Sequence, residues 1–560
     1  MRAGREVVGM RWWVGLLLVT VVWAVLYLPG IGTFELKGEE GRRILPARAM
    51  AQSGEWVLPY SEGRPYHRKP PLINWMVAAG FAMAGGESET AARVPSALSV
   101  LGLGLMAWWA GRSFRDVHRE FPVFLALSVL GTAGVIEKGR LAEIEAVYVS
   151  LAGAGMLLWA AAWKRGAGPW GLWLPACGLM GLAMLAKGPV FLAFFVPVMV
   201  VTMWQAGELR RLRHPAVLVG MALVFLVPVP WAVGVKARLA GFPGDFETRG
   251  PGEVWRDQVL GRLMPEKFDV MSWVMSPLDT VLALSVPAVV ALVWWRALRR
   301  DVVGGLPVRD RALLRGLAWG SLASGVAMSL IPEPHARFQL PLAAPVALLA
   351  VWLLCVDRGA GVGKESEAKR WRVAHGLLLA VMVGITVCGA LLPLSGAFAA
   401  ARMKTWFLLG GSMVPWVVLV YTRTRRQAEP ERLFTAYGAV LLEVALLLAF
   451  VVMPRWAEKR EHRRPAAEVM AAAGEGAKIA AMYPGPQPFL FYLGAGTVEC
   501  AGLSAIPEGT THVLVPVRKW GEERTRRGLE KRGFGKVLVE VEGRVTEGPA
   551  EAKRYVLVGR

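Results

Sequence analysis

The sequence predicts a polytopic α-helical membrane protein with a small C-terminal α/β domain, and three observations carry that prediction. The chain has 560 residues, of which 54% are hydrophobic, and its mean hydropathy is +0.41. It contains many apolar runs near the roughly 20 residues that a helix needs to cross a hydrocarbon core. From residue 454 onward the composition changes to short β-prone stretches alternating with helical ones.

The first element follows Arg2, Arg5 and Arg11 and reads "WWVGLLLVTVVWAVLYLPG". It has the charged flank of a signal sequence but no small-x-small cleavage site before Gly30, so it is expected to remain as the first span, about 12–30. Further apolar segments fall at about 93–111, 121–136, 146–163, 170–186, 188–204, 215–235, 277–295, 314–331, 338–355, 373–396, 405–421 and 433–453, which makes thirteen spans. The stretch "PPLINWMVAAGFAMAG" at 70–85 is short and opens with two prolines, so it reads as an interfacial or re-entrant helix.

Loop charge tests that reading. If 70–85 does not cross, the basic loops "GRSFRDVHRE", "KRGAGPWG", "GELRRLRH", "RALRRDVVGGLPVRDRALLR" and "TRTRRQAEPER" all share the cytoplasmic face with the N-terminus. The extracytoplasmic face then receives residues 31–92, 137–145, 187–189, 236–276, 332–339 and the tail. Two units follow: a transmembrane domain over 1–453, with its first external loop and juxtamembrane helices at 31–92, and an extracytoplasmic α/β domain over 454–560. In the tail, "AKIAAMY", "PFLFYLG", "THVLVPV", "KVLVEVE" and "RYVLVGR" read as strands, and "RRPAAEVMAAAGEG" and "GEERTRRGLEKRG" as helices.

Several classes are disfavoured. The net charge of +21 is explained by cytoplasmic loops and the first external loop, so nucleic acid is not an expected partner. The four cysteines, Cys177, Cys355, Cys388 and Cys500, have neither disulfide nor metal-ligand spacing. There is no P-loop, HExxH or GxSxG motif. A lipid or solute transporter is the competing reading, since charges at the membrane edge and many spans suit one too. The lack of an internal repeat, and charge gathered on one face instead of at mid-span, weigh against it.

The chemistry points to the external face. The first external loop carries Glu35, Lys37, Glu39, Glu40, Arg42, Arg43, Arg48, Tyr66, His67, Arg68 and Lys69, and its basic residues run against the positive-inside trend. An anionic ligand at the headgroup level accounts for them. Glu39 and Glu40 beside such a site can take a proton from an attacking hydroxyl or bind a cation. Against this stands a plain ion pair between Glu39 and Arg43, four apart on a helix and worth a few tenths of a kcal/mol. Glu137, Glu143 and Glu145 form a second external cluster. Lys187 sits in a turn between two spans, and His335 and Arg337 in the proline-bounded "IPEPHARFQLP".

The combination "GEEGRR…ARAMAQSGEWVLPYSEGRPYHRKPPLINW…GGESETAARVPSAL" resembles the membrane glycosyltransferases of the lipid A aminoarabinose transferase and protein O-mannosyltransferase group. Their acidic pair falls on Glu39 and Glu40. Their next stretch falls on Trp56, Pro59, Gly63, Tyr66, Lys69, Pro70, Pro71, Leu72 and Trp75, and their lead into the following span on Glu89, Arg93, Pro95 and Ser96. More weakly, the resemblance extends to Glu145 (or Glu143), to "AKGP" with Lys187, and to "HARFQLPLAAP" with His335 and Arg337.

The resemblance implies a GT-C fold and an inverting transfer of a sugar from a polyprenyl-phosphate-linked donor to a lipid, glycan or protein acceptor at the extracytoplasmic face of the inner membrane. It implies Glu39, Glu40 and Glu145 as catalytic carboxylates, and Lys69, Arg42, Arg68, Tyr66, Lys187, His335 and Arg337 as substrate contacts. A divalent cation on Glu39 or Glu145 stays open, and no other cofactor is expected. The chain departs from the group in having Glu39 where Asp is common and in the arginines of "EEGRR", so substrate specificity does not carry over.

Overall fold

A computed structural model of the chain describes residues 12–36, 38–61, 64–67, 69–240, 269–295, 305–332, 334–356, 375–384, 430–448, 462–482, 488–494, 496–543 and 553–560, with isolated residues between some of these segments. The predicted span at 405–421, part of that at 373–396, and Arg68 fall largely or wholly outside them.

In the membrane part the helices are α1 (Trp12–Tyr27), α2 (Gly38–Ser53), α3 (Leu72–Ala84), α4 (Glu89–Gly111), α5 (Phe121–Leu130), α6 (Ala133–Gly139), α7 (Ile144–Lys164), α8 (Pro169–Lys187), α9 (Leu192–Gln205), α10 (Pro215–Leu226), α11 (Val229–Ala240), α12 (Val270–Trp294), α13 (Val308–Arg315), α14 (Ser321–Ser329), α15 (Ala343–Val356) and α16 (Pro430–Leu447). Among the described residues six helices are long and apolar enough to cross a membrane, and a bent pair makes a seventh. The polytopic character is therefore plain, while the predicted thirteen is a larger number than these helices alone supply. Helices α1, α3, α9 and α16 are apolar but shorter.

Burial sorts the spans. In the most apolar stretch of Ile144–Lys164, 89% is buried, and in that of Ala336–Cys355, 94%; the figure is 28% for Pro215–Ala240 and for Val270–Trp294. Helices α7 and α15 therefore form the centre of the bundle. Exposed Leu218, Leu226, Val233, Leu282 and Leu292 give the outer helices an apolar surface of the kind lipid solvates.

The predicted span at 121–136 is not one helix: α5 and α6 meet at a bend of 63°. The bend falls at Gly131 and Thr132, and a Cβ on Gly131 would stand 2.3 Å from the Tyr437 hydroxyl of α16. Only glycine lets the end of α5 approach α16 so closely. Opposite this bend α12 is itself kinked at Ser285, which has φ 50°. The Ser285 hydroxyl accepts the Ala133 N–H at 3.1 Å, so each break helps to satisfy the other.

The first external loop is built round a buried ion pair. Arg93 of α4 and Glu40 of α2 are both 0% exposed. Arg93 Nε and one terminal nitrogen donate to the two Glu40 oxygens, each at 2.8 Å. The other N–H groups go to the carbonyls of Ile31 (2.8 Å), Phe34 (2.9 Å) and Glu35 (3.1 Å), which uses all the donors a guanidinium has. The Phe34 ring lies 3.9 Å from the guanidinium carbon, and Glu40 Oε1 also accepts the Ala142 N–H at 2.9 Å. One pair thus ties together the chain after α1, helix α2, helix α4 and the turn before α7.

The C-terminal part holds α17 (Arg463–Ala473), α18 (Phe489–Tyr492), α19 (Val517–Trp520) and α20 (Glu523–Glu530) with strands β3 (Ile479–Met482), β4 (Val498–Cys500), β5 (His512–Pro516), β6 (Lys536–Gly543) and β7 (Lys553–Gly559); β1 (Tyr60–Ser61) and β2 (Arg64–Pro65) form a small hairpin in the first loop. The five strands order as β4-β3-β5-β7-β6, parallel from β4 to β5 and antiparallel beyond.

The predicted strand "PFLFYLG" is instead the short helix α18, which Pro488 opens with a helical φ of −57° and ψ of −33°, and through this turn the sheet unit docks on residues 31–92. Arg48 of α2 donates to the Leu490 carbonyl at 3.2 Å and the Phe491 carbonyl at 2.7 Å, pairs with Glu87 at 2.6 Å, and covers the Phe491 ring. Tyr492 accepts the Leu36 N–H at 2.9 Å and donates to Glu89 at 3.1 Å. Arg463 also pairs with Glu89, and the Glu35 carboxylate caps α17 at the His462 and Arg463 N–H groups.

Two expectations follow. Arg93→Met strands the Glu40 charge and should cost about 3–5 kcal/mol, seen as a lower unfolding temperature in detergent, with Arg93→Met/Glu40→Leu recovering most of it; an unchanged single variant would deny the pair its structural role. Arg48→Ala should weaken the docking by about 2 kcal/mol and so speed proteolytic release of the sheet unit in proportion to its opening, whereas Arg464→Ala, on the exposed side of α17, should not.

Candidate functional site

The site assembles where the starts and ends of several helices meet. Glu145 lies in the first turn of α7, one residue before the predicted span begins, and Lys187 is the last residue of α8. Their charged ends lie 3.0 Å apart, with side chains only 11% and 8% exposed. This is a buried pair, whereas an interfacial carboxylate or a snorkelling lysine would be solvated. The Lys187 ammonium is flanked by the rings of Tyr148 and Phe338 at 5.4 and 5.2 Å, which holds it in place from two sides.

More cations surround Glu145. Arg337 and Lys138 act on it electrostatically along with Lys187. Lys138 also pairs with Glu143 at 2.9 Å and Glu137 at 3.1 Å. A cavity of about 350 Å³ opens beside them, lined by Glu137, Lys138, His335 and Arg337. The His335 ring packs edge-on to Phe338. Glu137 also lines a neighbouring chamber of about 460 Å³ whose walls, from α5, α12, α15 and α16, are almost wholly apolar.

The first loop joins this constellation through Arg43. It donates to the Tyr66 hydroxyl at 2.8 Å and lies 3.8 Å from Glu39. Burial alone would lower its pKa, but Tyr66, Glu145 and Glu39 outweigh that and leave it above its ordinary value, so the guanidinium stays charged. Asn74 of α3 donates to the Arg43 carbonyl at 2.8 Å and fixes the turn of α2 from which Arg43 projects. Glu39, 14% exposed, pairs with Arg42 at 2.7 Å.

The sequence-predicted residues therefore separate. Glu145, Lys187, Arg337 and His335 converge, and Tyr66 reaches them through Arg43. Glu39 keeps the ion pair with Arg43 that its spacing predicted and adds one with Arg42. Arg42 itself is half exposed on the outer side of α2, and Lys69 is partly exposed just before α3. Glu40 does not face the cavity: it is fully buried and both oxygens are engaged by Arg93. Arg43 and Lys138 were not singled out from sequence. The signal for Arg43 was its i+4 spacing from Glu39, and for Lys138 its position inside an otherwise acidic loop.

A cation site does not emerge. Among the described residues no three His, Cys, Asp or Glu side chains converge as metal ligands, and both Glu39 and Glu145 already pair with basic side chains. The residues present do not fit a divalent cation on either carboxylate.

Residues 68–233 match the dolichyl-phosphate-mannose-protein mannosyltransferase family. The undecaprenyl phosphate-alpha-4-amino-4-deoxy-L-arabinose arabinosyl transferase of Pseudomonas paraeruginosa is 32% identical over 237 residues, which is 40% of this chain and 41% of that one. The chain thus spans about two fifths of the length of the curated relatives it matches. The crystal structure of ArnT from Cupriavidus metallidurans bound to undecaprenyl phosphate superposes with a TM-score of 0.63 at 18% identity, covering 97% of both chains. The apo form of that protein gives 0.61. The chain therefore has the polytopic GT-C fold and is similar to the membrane glycosyltransferases of the aminoarabinose transferase and protein mannosyltransferase group.

Proposed function

We propose that the protein is an inverting glycosyltransferase that moves a sugar from a polyprenyl-phosphate-linked donor to a lipid, glycan or protein acceptor at the extracytoplasmic face of the inner membrane. The observation that carries this reading is the set of cations, the buried Lys187, Lys138 and Arg43 and the partly exposed Arg337, gathered round Glu145 beside a polar cavity and an apolar chamber that meet at Glu137. An amphipathic substrate has that shape: an anionic head for the first compartment and a hydrocarbon tail for the second. In this reading the N-terminus is cytoplasmic, and the first loop and the sheet unit are external.

The acceptor hydroxyl attacks the anomeric carbon of the sugar, the bond from that carbon to the phosphate oxygen breaks, and polyprenyl phosphate leaves with the bonding electrons. A phosphate departs as a stable anion, so the demand on the protein is cationic stabilisation more than protonation. Lys69, with Lys187 and Arg337, meets that demand; Arg42 and Arg68 are further candidates from the same loop. The hydroxyl proton goes to a carboxylate, for which Glu39 is the first choice because it is the more accessible acid of α2. Glu145 holds Lys187 in place. We assign Glu40 to scaffolding, since its oxygens are already spent on Arg93.

Incubating purified protein with a polyprenyl phosphate sugar and an acceptor extract, and measuring released polyprenyl phosphate, tests this reading directly. Lys69→Ala should abolish release while membrane insertion and unfolding temperature stay at wild-type values; unchanged release would remove Lys69 from the phosphate site. Glu39→Gln should lower kcat by about 10²–10⁴ with little change in KM, and wild-type turnover would exclude it as the base.

A further inference from the structure

The two faces of the C-terminal sheet have different surroundings. Ile479, Ala481, Leu514, Tyr555 and Leu557 belong to the apolar core that α17 and α18 share with the spans. Ala480, Met482, Val513, Val515, Val556 and Val558 point the other way, into a separate core closed by Leu529 of α20 and by Phe534. Side chains alternate along a strand, so α20 lies on the opposite side of the sheet from the layer that docks on the first loop. Thr525 and Leu529 are its buried positions, and its remaining side chains form the outermost surface of the unit.

That surface is strongly basic. Residues 517–536 contain eight Lys or Arg against three Glu, and each Glu is already engaged: Glu522 by Lys519 at 2.8 Å, Glu523 by Arg527, and Glu530 by Arg526 at 3.7 Å. Arg524, Lys531, Arg532 and Lys536 are exposed and, among the described residues, form no ion pair. The Arg560 guanidinium adds to the same side, 5.5 Å from the Phe534 ring. Such a surplus repels itself and weakens the compact state, and on a translocated segment it gives no help to membrane orientation.

We propose that this face of the sheet unit, centred on Arg524, Lys531 and Arg532, docks a polyanionic glycan carrying phosphate or uronate groups. Charge complementarity selects an anion. Trp520, Leu503 and Ile506 are packed against the inner core and the small Val537 is exposed beside them, so the patch lacks the large aromatic anchors of a protein interface and the stacking platform of a nucleic-acid site. Its position across the sheet from the docked layer takes it away from the headgroups of the protein's own membrane. The external placement rests on the function proposed above; the charge surplus does not.

Full-length protein in phosphatidylcholine nanodiscs, titrated with fluorescent polygalacturonate, tests the proposal without any sugar transfer. Wild type should bind with an affinity that falls steeply with salt, and Arg524→Glu/Lys531→Glu/Arg532→Glu should weaken binding about tenfold or more. The charge-conserving Arg524→Lys/Lys531→Arg/Arg532→Lys control should bind like wild type, which separates charge from misfolding. Absence of binding by wild type, equal binding by the Glu variant, or tighter binding of phosphatidylglycerol vesicles or single-stranded DNA would overturn it. Sugar transfer to a small neutral acceptor, read as released polyprenyl phosphate, should be unaffected by the Glu variant, so its absence from wild type would count against the proposed reaction and leave this surface to be judged on binding.

Discussion

The Arg93–Glu40 pair is the constraint on which the arrangement of α2 against α1, α4 and the turn before α7 depends. A fully buried guanidinium is tolerable only if every N–H finds an acceptor and a counter-charge is close. Here the acceptors come from the Ile31, Phe34 and Glu35 carbonyls after α1 and the counter-charge from the first turn of α2. The cost of leaving any of them unmade fixes where α2 starts relative to α4. Glu39 and Arg43 are carried on the same helix, one residue before Glu40 and three after it, so the geometry of the site is inherited from a pair that takes no part in it.

A second layer of the design is how charge is kept at the membrane edge. Glu145 and Lys187 sit at opposite ends of neighbouring helices, the acid near an N-terminus and the base at a C-terminus, where the helix dipoles favour each. Arg140 works similarly with α1: it donates to the Leu26 carbonyl at 2.6 Å and to the Pro29 carbonyl, satisfying groups that the end of that helix leaves open. The bend between α5 and α6 and the kink in α12 touch through the Ala133–Ser285 hydrogen bond in the wall of the apolar chamber. Irregular backbone is thus confined to places where a partner or a cavity receives it.

Much of this was legible in the sequence, and the omissions have physical reasons. Length and apolarity announced the spans, and loop charge marked 70–85 as the exception; α3 has the short length expected there. The alternation of strand and helix in the tail shows in the five-stranded sheet. The bend at Gly131 was not legible, because hydropathy is blind to a glycine whose importance lies in its contact with Tyr437. The acidic pair drew attention, but sequence could not divide it: two adjacent residues on a helix point about 100° apart, so one faces the accessible side and the other faces Arg93, fifty-three positions away in the chain. Arg48 looked like one more loop charge, and its partners lie more than four hundred residues downstream.

That last separation bears on how the molecule is made. Loop closure over such a distance comes late, after the intervening spans have been inserted, because non-local contacts must meet their entropic cost before they return any stability. The helix that carries Glu39 and Arg43 is therefore made long before its Arg48 anchor on the Leu490 and Phe491 carbonyls exists. During synthesis the chain spends that interval with an unbraced first loop, and the site is completed from the far end of the polypeptide. A ribosome that stops short of the sheet unit leaves behind an inserted bundle whose helix α2 has no final position.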